Sequence, residues 1–327
     1  MDTAVGDRGR NVTLPEQIPA RGWWDIVVRV KGELARDNVS LIAGGLAMYA
    51  LLSVFPAMTA AVSFYGLLVT PAEVISQMNS FSGVLPPGAW RIFSAELQDV
   101  ARHQPGTLTL AAVTSLLVAL ASARSGMASL MQAANIAYRE REKRGLLRQV
   151  ITSIGFTLGA ILGFILMLLL GVAVPLLVNL FTSAWAEIVV SVLRWALLWA
   201  FAALGLAMIY RFGPAREHAR WRWVSWGSVA AATLWLIGSV LFSLYVRNLG
   251  NYARTYGALG GVVVLLMWFY LSSFFVVLGA VINAEMERQT RRDTTEGPEA
   301  PLGQRGAYAA DTVGPSVTQI EHAKQEH

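Results

Sequence analysis

The residue types that carry most protein chemistry are thinly spread along this chain. Its four histidines, His103, His218, His322 and His327, fall in loops and tail, and there is no cysteine. Metal-assisted hydrolysis needs histidine and carboxylate ligands that converge on one ion. No HExxH helix and no glycine-rich lysine loop for phosphate is present. The lack of cysteine removes disulfides and thiolate nucleophiles and says nothing about compartment. Ser125, in "ARSG", resembles the serine turn of a membrane protease, yet no histidine lies in a later apolar tract to act as its base. A small packing residue is its simpler role. The expectation is a protein that is not an enzyme and binds no metal or cofactor, with a membrane enzyme or nuclease as the remote alternative.

One charge stands out. In "LVALASARSGMASL", Leu117 to Leu130, an arginine interrupts an apolar run. A mid-bilayer arginine costs about 2.5–3.5 kcal/mol on insertion scales and less near an interface, where its stem lets the charge snorkel. Counting from Arg124, positions Ala128, Gln132, Asn135 and Tyr138 or Arg139 share one helical face. The flanking alanines and serines keep the helix slim, and small residues favour helix contact, so this face is expected to point into a bundle. Two accounts of Arg124 stay open. It reaches inner-leaflet phosphates or pairs with Glu285 in a structural role; alternatively Arg124, Gln132, Asn135, Tyr138 and Glu285 line a polar cavity open to the cytoplasm, which receives an anionic headgroup or solute. Glu187 and Arg194, seven apart on one face, read as an interfacial anchor or an outer gate. Gly257, Gly260 and Gly261 follow Tyr256 and are the candidate hinge.

The elements that must position these residues are membrane helices. Only 14% of residues are charged, against about 25% in soluble domains, and six apolar tracts run over about 41–70, 107–127, 150–175, 188–210, 223–246 and 258–284. Each is close to or beyond the roughly 20 residues a helix needs to cross a bilayer. Backbone groups in lipid must be satisfied internally, and strict strand alternation is missing. The expected fold is an all-α integral membrane protein with six transmembrane helices and interfacial amphipathic helices. The first apolar tract starts about forty residues in, too late for a cleaved signal, so it is expected to insert as an internal start signal.

Basic residues crowd alternate loops: Arg8 to Arg36, Arg139 to Arg148, Arg211 to Arg222, and Arg288 to Arg292, against Arg91, Arg102, Arg247 and Arg254 on the other side. This asymmetry is expected to place both termini in the cytoplasm. The expected partners are membrane lipids, through anionic headgroups at the cytoplasmic face, and not nucleic acid; no residue pattern sets an oligomeric state. Residues 1–20 are expected to be a disordered N-terminus, 21–40 an interfacial amphipathic helix bearing Trp23, Ile26, Val27, Val30 and Leu34 on one stripe, and 71–106 an outer helical hairpin broken at "VLPPGAW". Pro175 is expected to turn the third tract along the outer interface. Residues 288–327, rich in Gly, Pro, Thr and charge, are expected to be a disordered cytoplasmic tail, because they bury too little apolar area to offset ordering. Gly155, Gly159 and Gly163, every fourth residue, suggest a close helix seam.

Four stretches are similar to the YihY/BrkB family of bacterial inner-membrane proteins, some once labelled ribonuclease BN. They are "GGLAMYALLSVFPAM", through Tyr49, Ser53, Phe55 and Pro56; "ANIAYREREKR", through Asn135, Tyr138, Glu142 and Arg144; "IYRFGP", through Tyr210, Arg211 and Pro214; and "YGALGGVVVLLMWFYLSSFFVVLGAVINAE", through Tyr256, Gly257, Trp268, Tyr270, Gly279, Asn283 and Glu285. The resemblance spans roughly residues 21–287. Met48 and Trp226 depart from it, where an aromatic and a proline are usual. It implies six helices with cytoplasmic termini and supplies no settled activity; it leans toward transport or lipid handling. The expectation is therefore a multi-pass protein that moves or handles a lipid or other amphiphilic or anionic solute, with an envelope scaffold as the alternative.

Overall fold

The computed structural model describes residues 8–65, 95, 110–178, 184–248 and 250–325. Regular structure among them is helical, and the one β pairing is an isolated antiparallel bridge between Ala219 and Thr295. Helix α1 is Ala20–Arg36. Six long helices follow: α2 (Val39–Tyr65), α3 (Leu110–Ala137), α4 (Leu146–Val178), α5 (Ala184–Phe212), α6 (Trp221–Asn248) and α7 (Gly250–Glu287). Two short helices close the chain, α8 (Tyr308–Asp311) and α9 (Val317–Gln325).

Four segments are long and apolar enough to cross a membrane: Leu146–Gly163, Trp195–Phe212, Trp221–Arg247 and Gly260–Glu287. A fifth arises if α1 and Val39–Val54, bent by 64°, are taken together. Six spans were expected; the described residues carry four, or five with the bent pair. Asn38, at φ 49°, makes the turn between α1 and α2, a left-handed conformation that Asn tolerates better than most residues. The expected hairpin at 71–106 lies outside the described residues except for residue 95, and so do the side chains of Glu187 and Arg194.

Helices α2 to α7 pack each on the next in chain order, and α7 packs back on α2, so the six close a ring. The tight seam is not where the glycine spacing suggested. Gly155 and Gly159 have nothing within 4 Å of an added Cβ, and only Gly163 meets a neighbour, the ring of Phe201. Close approach occurs instead between α6 and α7, where a Cβ on Gly227 would overlap the Gly279 carbonyl and one on Gly279 would stand 2.6 Å from Ala231 Cβ. Helix α4 runs through Pro175 to Val178. Helix α7 runs unbroken through Gly257, Gly260 and Gly261, the residues expected to form a hinge. In an apolar surround the cheapest way to satisfy backbone groups is to keep the helix going, glycine or not.

Residues 8–19 and 288–325, within the stretches expected to be disordered, are hydrogen-bonded to the rest of the chain. Residues 8–19 lie against α1 and the end of α7: Arg291 N donates to Arg10 O (2.8 Å), Thr290 Oγ1 to Val12 O (2.7 Å) and Gln289 Nε2 to Arg8 O (2.6 Å). Residues 288–325 fold back over the same end of the ring. Arg305, 6% exposed, donates to the carbonyls of Ala300, Arg292, Ala310 and Arg291 at 2.7–3.0 Å. Charge-assisted bonds of this kind are roughly twice as strong as neutral ones. They order a segment that apolar burial alone would leave loose.

Candidate functional site

Buried charge concentrates at the end of the ring that carries both termini. Helix α1 turns Asp25, Arg29 and Glu33 inward, spaced four apart on one face with Ile26 and Val30 beside them. Arg29 meets the end of α7: Nε donates to Glu285 Oε2 at 2.6 Å, and Nη2 to Glu285 O and Gln289 Oε1, both at 2.8 Å. Both side chains of this pair are 3% exposed. Arg288 also pairs with Glu285, and Arg139 and Arg36 pair with Glu33. Tyr308 of α8 lies under two cations, Arg139 at 5.4 Å and Arg288 at 5.6 Å from its ring centre. Arg139 stands at φ 55°, just past the end of α3, where Glu140 N donates back to Asn135 O at 2.8 Å. That geometry is a helix C-terminal lock usually made by glycine; here the arginine's ion pairs hold it.

A second group sits beside the first. Asn135 uses both ends of its amide: Nδ2 donates to Glu142 Oε2 (3.1 Å) and Oδ1 accepts from Ala215 N (2.7 Å). Arg144 bonds Glu142 at 2.8 Å through both Nε and Nη2, and Nη2 also reaches Gly213 O. The Arg144 side-chain hydrogen bonds, working against partial desolvation, hold the Glu142 carboxyl down at about 2. Arg216 forks onto Glu287 at 3.1 and 2.7 Å and stacks 4.9 Å over Tyr138. Burial alone would depress the Arg216 guanidinium, but the Glu287 charge and hydrogen bonds raise it above its ordinary value. The Tyr138 hydroxyl is buried beside Asn283 without a well-formed hydrogen bond. Asn283 itself clamps α6, accepting from Gly227 N (2.7 Å) and donating to Val224 O (2.9 Å). Burial, then the Arg211 charge, push the imidazole of His218 down in the neighbouring loop.

The expected polar stripe of α3 therefore divides. Asn135 and Tyr138 enter this cluster, and Glu285 is in it with partners the sequence did not suggest. Arg124 is not: half-buried, it donates from Nε to Ser153 Oγ of α4 at 3.2 Å. The structure has no Arg124–Glu285 pair: Arg124 lies several turns up α3 on Ser153, and Glu285 pairs with Arg29 and Arg288. Gln132 is exposed in phase with Ile136, on the side of α3 opposite Ala133, Ala134 and Ala137, which pack into the core. The stripe thus does not line one cavity. Among the described residues no group of three His, Cys, Asp or Glu could hold a metal ion.

A concavity lies elsewhere. Trp195 of α5 and Trp235, Leu236, Ser239, Val240, Ser243, Leu244 and Arg247 of α6 line a pocket of about 160 Å³. Trp235, Ser239, Ser243 and Arg247 recur every fourth residue on α6. The pocket opens to the outer surface of the ring along the α5–α6 groove: Val240, Leu244 and Arg247 of its lining are exposed, and Trp195, Trp235, Ser239 and Ser243 are half-buried. Trp235 Nε1 donates to Ser272 Oγ of α7 (3.0 Å), and Ser239 Oγ accepts from Trp268 Nε1 (3.4 Å). Sequence reasoning placed Arg247 among sparse outer-loop charges and missed the others; the Trp-Ser-Ser-Arg spacing inside an apolar tract was the available signal.

Long apolar helices in a ring, a locked polar end and a partly enclosed pocket define a polytopic helical membrane protein. The family model for virulence factor BrkB matches residues 30–303, and the chain belongs to that family. It is 31% identical over 257 residues to a Bacillus subtilis protein named YfkH and described as ribonuclease-like, covering 75% of this chain and 89% of that one. A UPF0761 membrane protein of Tolumonas auensis is 27% identical over 275 residues, covering 81% and 86%. A UPF0761 membrane protein of Nitrosospira multiformis is 27% identical over 268 residues, covering 81% of this chain and 61% of its own length. No solved structure matches. Of the residues that carried the resemblance, Asn135, Tyr138, Glu142, Arg144, Arg211, Asn283 and Glu285 gather at the locked end; Tyr210 Oη donates to Val276 O at 2.7 Å.

Proposed function

We propose that this chain is a bacterial inner-membrane protein, with both termini cytoplasmic, that binds and helps move an amphiphile bearing an anionic group. The observation that carries this reading is the contrast between the two ends of the ring. At the termini end, Arg29–Glu285 and Arg216–Glu287 are buried and paired; toward the other end, α5 and α6 leave a pocket with the exposed Arg247 in its lining. Pockets built from an apolar wall with a few placed polar groups are the usual form of small-molecule sites. The basic loops, which point the termini to the cytoplasm, would open this pocket toward the outer half of the bilayer and let the exposed cytoplasmic-side arginines meet anionic headgroups. Among the described residues no cluster of metal ligands accompanies the ribonuclease-like description of the Bacillus relative.

The test is transbilayer movement. Purified full-length protein in vesicles is given a fluorescent acyl lipid in both leaflets, and a membrane-impermeant reductant bleaches the outer population. Bleaching beyond the outer half, absent from empty vesicles and reduced in Trp195→Ala protein, supports handling. Bleaching that stops at the outer half in every sample overturns it in favour of a scaffold, the reading favoured by how completely the charges of the termini end are paired.

A further inference from the structure

We infer that the α5–α6 pocket selects an amphiphile with one chain and an acidic headgroup, its anion on Arg247 and its chain against Trp235 and Trp195. This rests on the reading that the pocket binds an amphiphile at all. Size argues for one chain: a cavity of about 150 Å³ takes a single benzene, and this one is about 160 Å³. That volume matches one chain segment rather than the paired chains of a diacyl lipid. Polarity is graded along α6. Trp235 and Leu236 stand at one end of the lining, the hydroxyls of Ser239 and Ser243 follow along the helix, and Arg247 stands at the other end, roughly 18 Å from Trp235 at 1.5 Å rise per residue.

The pocket offers donors and few acceptors. The Trp235 N–H is spent on Ser272, so its ring face is what remains for a ligand. Ser239 accepts from Trp268, which leaves its own hydrogen to give. Neither Ser243 nor Arg247 has a hydrogen bond or ion pair among the described residues, and Arg247 is exposed. Two hydroxyl donors and an unpaired guanidinium suit an acceptor-rich anion, a carboxylate or a phosphate monoester. An arginine in the last turn of a helix also favours the helix dipole, but that role does not call for an aromatic and hydroxyl-lined space beneath it.

The chain has no cysteine, so Ser243→Cys places a single thiol in the pocket. Its alkylation rate in purified full-length protein, in neutral maltoside detergent, is measured with dodecanoate, dodecyl phosphate, dodecanol or dioleoyl phosphatidylglycerol added. Both acids should slow alkylation, and whichever protects at lower concentration names the headgroup. Adding Arg247→Gln should raise the protecting concentration about 10-fold or more, the loss expected for one charged hydrogen bond, while Arg247→Lys should keep most of it. Equal protection by dodecanol or by the two-chain lipid, or protection indifferent to Arg247→Gln, overturns the selectivity and leaves amphiphile binding standing. Protection by none of the four overturns both. If Ser243→Cys protein does not elute as a single gel-filtration peak, Leu244→Cys, next along the lining, carries the same thiol.

Discussion

Replacing Arg29 by methionine tests the lock at the termini end. The change keeps side-chain length and removes the bonds to Glu285 Oε2, Glu285 O, Gln289 Oε1 and Pro315 O. Breaking one side of a buried ion pair costs about 3–5 kcal/mol, because the other charge is left uncompensated. Glu285 keeps Arg288, which puts the expected loss near the lower limit, about 3 kcal/mol. For domains of 150–250 residues 1 kcal/mol shifts Tm by about 2–4 °C, so a fall of roughly 6–12 °C is expected. Heating purified protein in maltoside and following the surviving gel-filtration peak by tryptophan fluorescence reads it. Adding Glu285→Leu should recover a large part, since a buried pair exchanged for apolar residues is often near neutral. A single variant within about 2 °C of the parent, or a double variant less stable than the single, refutes the reasoning. Exchanging Arg124 and Glu285 should fail to fold, because arginine at 285 would face Arg29 and Arg288; a folded exchange would restore the pairing the structure denies.

Gly227→Ala should destabilise by about 1–3 kcal/mol or more through overpacking against Gly279 and Asn283, whereas Gly159→Leu should stay within about 0.5 kcal/mol; thermal melts that rank them the other way would move the seam to α4. Glu142, depressed from 4.5 to about 2 chiefly by its Arg144 hydrogen bonds, stabilises fully above pH 4.5, and that contribution fades as pH falls through 2. The melting difference between parent and Glu142→Gln should be flat from pH 5 to 8 and shrink below about 4.5; a difference that vanishes by pH 6 would count against the assignment. Arg305→Ala should free the tail, read as faster tryptic cleavage after Arg291 and Arg292; digestion at the parent rate would show that the tail does not depend on its central arginine.

Helix existence and extent were legible because apolar length and membrane thickness leave the backbone little choice, as the unbroken course of α7 through three glycines shows. The tail was illegible for a related reason. A rule that weighs apolar burial against ordering entropy sees only loss in "RRDTTEGPEAPLGQRGAYAAD". The stabilising groups are one guanidinium in a cage of carbonyls, and Asp293. Desolvation pushes that carboxyl up, but hydrogen bonds from Ala300 N and from Thr295 and the Arg305 charge outweigh it and draw it down. None of these partners is periodic in sequence, so no pattern announces them. The charges of α1 were misjudged likewise: an amphipathic stripe puts Arg29 in water, and only an acid at the end of α7, 256 residues away, makes its burial tolerable.

The candidate site was legible only in part. Asn135, Tyr138 and Glu285 lie at one end of the ring, but Arg124, grouped with them, sits on α3 roughly 16 Å before Asn135 at 1.5 Å rise per residue. The azimuth of a helix depends on which neighbours it touches. Here Ala133, Ala134 and Ala137 bury against the core, which turns Gln132 and Ile136 outward and sends Arg124 sideways to Ser153. An 11-residue step such as Gln132 to Ala121 returns nearly to the same face at 100° per residue, so a few small buried residues set the direction of the whole helix. On α6 the same logic works in reverse. Ile237, Leu241 and Tyr245 belong to the large apolar face that lipid accepts, and Trp235 and Ser239, two positions out of phase, turn to Ser272 and Trp268 of α7, where a hydroxyl has value because another polar group comes to meet it.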